Sequence, residues 1–257
     1  MEMEIELSPR RRGGGSVTPT RSGWRLEMPA GAVQTYRLAQ LDDYANSRRR
    51  QLRHTPPWSL HLRARVSAPD LPGTWGFGLW NDPFGFSIGF GGRRAHLPAL
   101  PQTAWFMHAS PPNWLSLQSE STLPANGFFA GTYRSASIPS PLLAPALAAL
   151  PLLALRPLSR LLRRMASRLI CQDAVRVDVE VTAWHEYSIL WLDGDCSFQV
   201  DGVKILRSFC SPRPPLGLVL WIDNQYAAWT PEGRLAAGTL ENPSAWMEIE
   251  DINVQLA

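Results

Sequence analysis

Polar and apolar residues alternate along several short segments of the chain, as they do in β-strands that bury one face. In residues 59–66 (SLHLRARV) every second residue is apolar, namely Leu60, Leu62, Ala64 and Val66. Later segments of strand character are VRVDVEV, CSFQVDGVKIL, PPLGLVLWIDN and AWMEIEDINVQL. Short strands separated by Gly, Pro and Asx residues predict an all-β sandwich rather than βαβ units.

The segment WHEYSILWLDGDCSFQVDGVKI, residues 184–205, predicts a β-meander. Two strands would be joined at Asp193-Gly194, and a second turn would follow at Asp201-Gly202, because Asp-Gly pairs tolerate the positive φ of tight hairpins. Asp193 and Asp195 are interpreted as turn residues, and a structural calcium ion held in that loop stays an open alternative.

Residues 138–170 interrupt this pattern with a helical insertion. Apolar side chains predicted on one helical face are Leu158, Leu161, Leu162, Met165, Leu169 and Ile170. Arginines spread over the other face are Arg156, Arg160, Arg163, Arg164 and Arg168. Four prolines, at 139, 141, 145 and 151, argue against a straight transmembrane helix. Two interpretations remain open: the insertion packs on the sandwich, or it rests at a membrane surface or against a protein partner.

Composition adds limits to function and location. The net charge is only +3, and the arginine triplets 10–12 and 48–50 lack interleaved aromatic residues, so we interpret them as solvated loops and predict no nucleic-acid partner. Three cysteines without a CxxC pair predict free buried thiols rather than a disulfide framework or a zinc site. The N-terminus lacks the features of a secretory signal, which predicts a cytoplasmic protein, with peripheral membrane contact as an alternative.

The strand segments, taken in order, resemble a known superfamily. WHEYSILW, FQVDGVKIL, PPLGLVLWI and WMEIEDINV, with SLHLRARVSAPDLPGTWGFGLW upstream, are similar to strands of concanavalin A-like proteins, above all family 16 glycoside hydrolases such as laminarinases. The resemblance implies one jelly-roll β-sandwich over residues 23–257, with a concave face that binds a polysaccharide in the active members of the family. Residues 1–22 are predicted to form a terminal strand or tail and a basic Gly-rich linker.

The family's catalytic motif, Glu-x-Asp-x-(x)-Glu, is absent after the Trp-rich strand, where Asp82 has no acidic partner before Glu120. Retaining hydrolysis needs two neighbouring carboxyl groups. The alternating pairs Glu248/Glu250 and Asp178/Glu180 are more typical of solvated strand faces. We therefore expect a non-catalytic or strongly diverged relative, without a cofactor.

Three hypotheses follow. The first is binding of a carbohydrate or other small ligand in the concave cleft, since indoles stack on sugars and amides or carboxylates bind hydroxyls. Its candidate residues are Trp80, Asn81, Asp82, Trp105, His108, Trp114, Trp221, Asp223, Asn224 and Gln225. The second is an enzyme using Asp82, His108 and Asp223. The third is a membrane-surface or partner-binding protein acting through residues 156–170.

Overall fold

A computed structural model describes residues 5–44, 47, 49–83, 99–118, 123–139, 141–143 and 153–256. The part of the chain that immediately follows Asp82-Pro83, Glu120, and the middle of the helical insertion lie outside the described residues. The described chain folds into a sandwich of two seven-stranded antiparallel sheets, which confirms the predicted jelly-roll class.

The first sheet has the strand order β1-β4-β13-β6-β7-β8-β9. Its strands are β1 (Ser8–Arg12), β4 (Leu38–Asp42), β6 (Thr74–Trp80), β7 (Thr103–Ala109), β8 (Gly127–Ser135), β9 (Ile170–Arg176) and β13 (Gly217–Asp223). This sheet carries most of the aromatic and acidic residues of the candidate functional site.

The second sheet has the order β12-β11-β10-β5-β16-β3-β2. Its strands are β2 (Ser16–Pro19), β3 (Gly23–Met28), β5 (Trp58–Val66), β10 (His185–Trp191), β11 (Cys196–Val200), β12 (Val203–Ser208) and β16 (Ala245–Leu256). The predicted alternation in β5 is confirmed, because Leu60, Leu62, Ala64 and Val66 are buried. Strands β14 (Gln225–Trp229) and β15 (Leu235–Thr239) form a separate two-stranded ribbon.

The main core fills the space between the two sheets. At its centre Phe106 of β7 makes edge contacts with Tyr187 of β10 and Phe198 of β11, with ring centroids 5.0 and 5.4 Å apart. Packing of this kind, contributed by every second residue of facing strands, is what holds two sheets together.

Two segments differ from their predicted structure. The predicted N-terminal linker contains β1 and β2, which pair with β4 and β3 as edge strands of the two sheets. Their Arg, Gly and Pro content gives no alternating signal, so their pairing depends on distant partners. The predicted strand VRVDVEV is also wrong: β9 ends at Arg176, and Asp178 and Glu180 lie outside any strand.

The helical insertion contains helix α1 (Arg156–Leu169), which connects the neighbouring strands β8 and β9. Pro157 lies in its first turn, where the missing backbone donor costs nothing. Among the described residues, no helix has the length and apolar character needed to cross a bilayer.

The prediction of three free thiols is wrong for two of them. Cys171, at the start of β9, forms a disulfide with Cys210, just after β12, whereas Cys196 is free and buried. The two bonded residues are 39 positions apart in the sequence and meet only because β9 and β12 are edge strands of the two sheets. Burial raises the pKa of the Cys196 thiol to about 12.

Candidate functional site

Alternation along the central strands of the first sheet separates core residues from outward ones. On β13, Leu218, Leu220 and Ile222 enter the core between the sheets, while Val219 and Trp221 belong to a second apolar cluster on the opposite side of this sheet. The outer side is therefore apolar as well, which is unusual for a face that only meets water.

Five aromatic side chains lie on that outer side and form what we call the aromatic face: Tyr44, Trp80, Trp105, Tyr133 and Trp221. Trp105 is at the centre, with ring centroids 5.6 Å from Trp221, 6.3 Å from Tyr133 and 6.4 Å from Trp80. Tyr44 extends the row, 6.4 Å from Trp80. Trp80 and Trp105 are half-buried, whereas the other three rings are buried.

Glycines in the strands beneath make room for these rings. A Cβ atom on Gly76 of β6 would lie 2.9 Å from Cη2 of Trp221, and one on Gly78 would lie 2.8 Å from Cβ of Trp105. In β13, a Cβ on Gly217 would lie 2.4 Å from the Tyr44 ring. The Gly–aromatic alternation of TWGFGLW thus lets large rings lie low on the sheet.

A buried carboxyl group, Asp223, closes one end of the aromatic face. It accepts hydrogen bonds from the Thr74 hydroxyl at 2.7 Å and the Tyr36 hydroxyl at 3.3 Å, and Thr74 in turn accepts one from the Trp221 indole. Burial raises the pKa of Asp223 to about 6, although these hydrogen bonds partly oppose the shift. This carboxyl group therefore titrates close to neutral pH.

A second polar group lies at the other end. The Gln40 amide donates to Asp42 at 2.9 Å, Arg10 forms an ion pair with Asp42, and the Trp80 indole donates to the Tyr44 hydroxyl. Burial, followed by the charges of Asp42 and Asp82, raises the pKa of Tyr44 well above its usual value. Arg10, predicted as a loop residue, is thus part of this buried network.

The two buried acids of β4 and β13 are too far apart for either usual glycosidase arrangement. Asp42 pairs with Val219, and Asp223 pairs with Leu38, so they are offset by four residues along adjacent strands. At about 3.3 Å per residue this is roughly 13 Å, whereas the two carboxyl groups lie about 5 to 5.5 Å apart in retaining enzymes and about 6.5 to 9.5 Å apart in inverting enzymes.

His108 does not lie on the aromatic face, so its predicted position is corrected. It shares the core side of β7 with Phe106, stacks on Trp75 at 5.5 Å, and its Nε2 lies 3.2 Å from the Leu71 carbonyl oxygen. Burial lowers the pKa of its imidazole. Residues an odd number of positions apart on a strand point to opposite sides, and Trp105 and His108 are three apart.

Two of the predicted amides hold loops together. The Asn224 side chain is fully buried and bonds to the backbone of Thr35, Arg37 and Leu240. Asn81 bonds to the backbone of Leu100 and Gln102. Their side-chain oxygens and nitrogens are therefore engaged within the protein.

The other predicted residues lie at the ends of the face. Asp82 has a positive φ of 45° and its carbonyl oxygen accepts from Arg49. The backbone amide of Gln225 donates to Asp223, and Trp114 is half-buried beside β14.

A small pocket lies beside Asp82. It has a volume of about 10 Å³, which is room for one water, and it is lined by Tyr44, Ser47, Arg49, Leu52 and Asp82.

Sequence reasoning missed Gln40, Asp42, Tyr44, Tyr36, Thr74 and Tyr133. The segment LAQLD offered a signal, because Gln40 and Asp42 alternate with Ala39 and Leu41 in a strand that is buried on both sides. A polar residue repeated every second position of such a strand points to a polar network on one face.

A separate groove lies on the outer side of the second sheet, with a volume of about 180 Å³. Its lining is mostly polar and includes His61, Ser188, Gln199 and Asn253. His61 Nδ1 lies 2.9 Å from the Ser188 hydroxyl. The described residues that line this groove include no Phe, Tyr or Trp, so it provides a control surface for experiments on the aromatic face.

Among the described residues, no three His, Cys, Asp or Glu side chains are grouped so that they could hold a metal ion. In the loop between β10 and β11, where the sequence left a calcium ion open, the Asp195 carboxylate accepts a hydrogen bond from Arg207 at 2.5 Å.

The acids at 248 and 250 lie on β16. Glu248 binds Arg25 and Arg65 there, as expected of a solvated face.

No protein-family model and no curated protein matches this chain. Solved structures similar to it include the laminarinase catalytic domain of Thermotoga maritima MSB8 in complex with cetyltrimethylammonium bromide, at 12% identity and a TM-score of 0.47, covering 93% of this chain and 79% of that one. LamAcat of Zobellia galactanivorans has 13% identity, a TM-score of 0.47, and coverages of 90% and 76%. The legume lectin-like domain of Entamoeba histolytica has 8% identity, a TM-score of 0.49, and coverages of 98% and 90%. At these identities the similarity concerns the fold alone.

Proposed function

We propose that this protein binds a carbohydrate on the aromatic face of the first sheet and does not hydrolyse it. The observation that carries the proposal is the continuous row of rings from Tyr44 to Trp221 on the side of the sheet that faces away from the main core. Indole rings stack well on the apolar faces of sugar rings, and Trp80 and Trp105 are the tryptophans of this row that remain partly exposed.

Hydrogen-bonding groups at both ends of the row support a sugar rather than a purely apolar ligand. Thr74 and Asp223 lie beyond Trp221, and Gln40 lies near Tyr44. Sites for polar small molecules combine an apolar lining with a few fixed polar groups of this kind.

The absence of the family motif and the wide offset between Asp42 and Asp223 support binding without hydrolysis. A hydrolase remains the second candidate, because a buried carboxyl group with a pKa of about 6, such as Asp223, is typical of a general acid. Incubation with β-glucans separates the two: release of reducing ends that is lost in Asp223→Asn would favour the enzyme.

Glycan-array binding followed by calorimetry tests the proposal. We expect Trp105→Ala and Trp80→Ala each to weaken binding at least about tenfold, as truncation of an aromatic anchor that packs on its ligand does, and Trp105→Phe to retain part of the affinity because a ring remains. His61→Ala and Asn253→Ala in the separate groove are the matched controls and should leave binding unchanged. Loss of binding in the groove variants alone would place the site on the other sheet, against the proposal.

A further inference from the structure

The most deeply buried residues of helix α1 are polar, while its leucines are half-buried or exposed. Its buried positions are Ser159 and Arg163. Arg163 donates from Nε to the Trp229 carbonyl oxygen at 2.9 Å and from Nη2 to the Ser116 carbonyl oxygen at 2.7 Å. The Trp229 indole donates to the Ser159 hydroxyl at 2.9 Å. These bonds fix which side of the helix meets the protein.

The consequence is a stripe of apolar side chains turned to solvent. Leu161, Met165 and Leu169 recur every four residues and are 52%, 49% and 40% exposed. Leu155, immediately before the helix, is 57% exposed. An amphipathic helix normally buries its apolar stripe against the core, whereas here Leu161, Met165 and Leu169 are exposed.

Arginines flank the stripe. At 100° per residue the exposed Arg164 and Arg168 lie next to Leu161, and the exposed Arg156 and Arg160 lie further around the same side. The helix contains no acidic residue. This surface, which we call the α1 face, therefore combines exposed apolar side chains with a row of positive charges.

We propose that the α1 face binds the surface of a lipid bilayer with anionic headgroups. Leucine and methionine would enter the boundary between headgroups and acyl chains, while the arginines remain among the phosphates, as in helices that lie in the plane of the interface. A second copy of this chain fits less well, because pairing two α1 faces would bring two sets of four arginines together.

Vesicle co-sedimentation of the full chain tests the proposal. With phosphatidylcholine vesicles containing 30% phosphatidylserine we expect binding that weakens with salt, and little binding to pure phosphatidylcholine. The double substitution Leu161→Glu and Met165→Glu should abolish it. Arg164→Gln with Arg168→Gln should weaken it at least tenfold, since each arginine near an anionic surface contributes about fivefold.

Val203→Glu is the matched control, because Val203 on β12 is 65% exposed and lies outside the helix. Circular dichroism should show every variant folded, as the substituted side chains are all exposed. Absence of binding to either vesicle, or binding that survives the glutamate pair, would overturn the proposal. A dimer in light scattering that the glutamate pair dissociates, without vesicle binding, would assign the face to self-association instead and would also overturn it.

Discussion

At the scale of single residues, Asp223 joins the aromatic face to the stability of the fold. It is 6% exposed and its pKa is raised by burial to about 6, against about 3.9 for an unfolded aspartate. The unfolded chain therefore releases this proton at lower pH than the folded chain does. Stability contributed by the protonated form should be present below about pH 4 and lost as pH rises through about 6.

Asp223→Asn should remove this dependence. We expect the free energy of unfolding of the natural protein to fall, relative to that of the variant, by up to about 3 kcal/mol between pH 4 and pH 7. Urea unfolding of both proteins across that range measures it. The two proteins must be compared with each other at each pH, because burial also lowers the pKa of His108. That shift makes the free energy of unfolding of both proteins rise with pH over the same range. If the free energies of unfolding of the two proteins differ by the same amount at every pH, Asp223 does not titrate with a raised pKa.

The glycines under the rings yield a second residue-scale prediction. A Cβ on Gly76 would lie 2.3 Å from the Phe106 carbonyl oxygen and 2.9 Å from Trp221. Gly76→Ala should therefore lower the free energy of unfolding by about 1 to 3 kcal/mol, as overpacking does. Gly194→Ala is a suitable control, since no atom lies within 4 Å of its added Cβ. Equal effects of the two substitutions in urea unfolding would be inconsistent with a tightly packed aromatic face.

At the scale of secondary-structure elements, the strands that can be predicted are those in which polar and apolar residues alternate locally. Strand β5 and the meander of β10, β11 and β12 were predictable because their alternation is local, and Asp201-Gly202 adopts the expected positive φ values of 50° and 76°. Strands β1 and β2 were not, since their sequence favours a loop and their partners lie elsewhere in the chain. Trp105, Trp221 and Asp223 lie on the outer side of the first sheet, whereas His108 lies on the core side, because it is an odd number of positions from Trp105.

Helix α1 was predictable as a helix, but its orientation was not. The sequence shows an apolar stripe, and only the tertiary contacts of Arg163 reveal that Leu161, Met165 and Leu169 of this stripe are exposed. Arg163→Met should lower the free energy of unfolding by about 2 to 4 kcal/mol in urea, because the carbonyl oxygens of Trp229 and Ser116 would lose their donor. Arg164→Met, on the exposed side, should change stability by less than about 0.5 kcal/mol. Comparable losses in both variants would mean that Arg163 does not anchor the helix.

At the scale of the whole molecule, the two sheets are linked along one edge. The Cys171–Cys210 disulfide connects β9 of the first sheet to the end of β12 in the second, and Thr132 of β8 hydrogen bonds Ser208 of β12 at 2.9 Å. A covalent link at this position restricts separation of the sheets and constrains the unfolded chain.

Reduction should therefore destabilise the protein. Closing a loop of 39 positions corresponds to up to about 4 kcal/mol in the chain-entropy treatment. We expect dithiothreitol to lower the melting temperature of the natural protein and to leave that of the Cys171→Ser, Cys210→Ser variant unchanged. Alkylation of both cysteines in the folded protein without a reductant would rule out the bond.

Binding of a sugar on the aromatic face can be followed through the indole N–H resonances of the tryptophans. The chain has eleven tryptophans. Among them, Trp184 and Trp246 lie on the second sheet's side under arginine side chains. Titrating β-glucan oligosaccharides into ¹⁵N-labelled protein should shift the Trp80 and Trp105 indole signals and leave those of Trp184 and Trp246 in place. Shifts confined to Trp184 and Trp246, or no shift with any glycan that binds, would contradict the account.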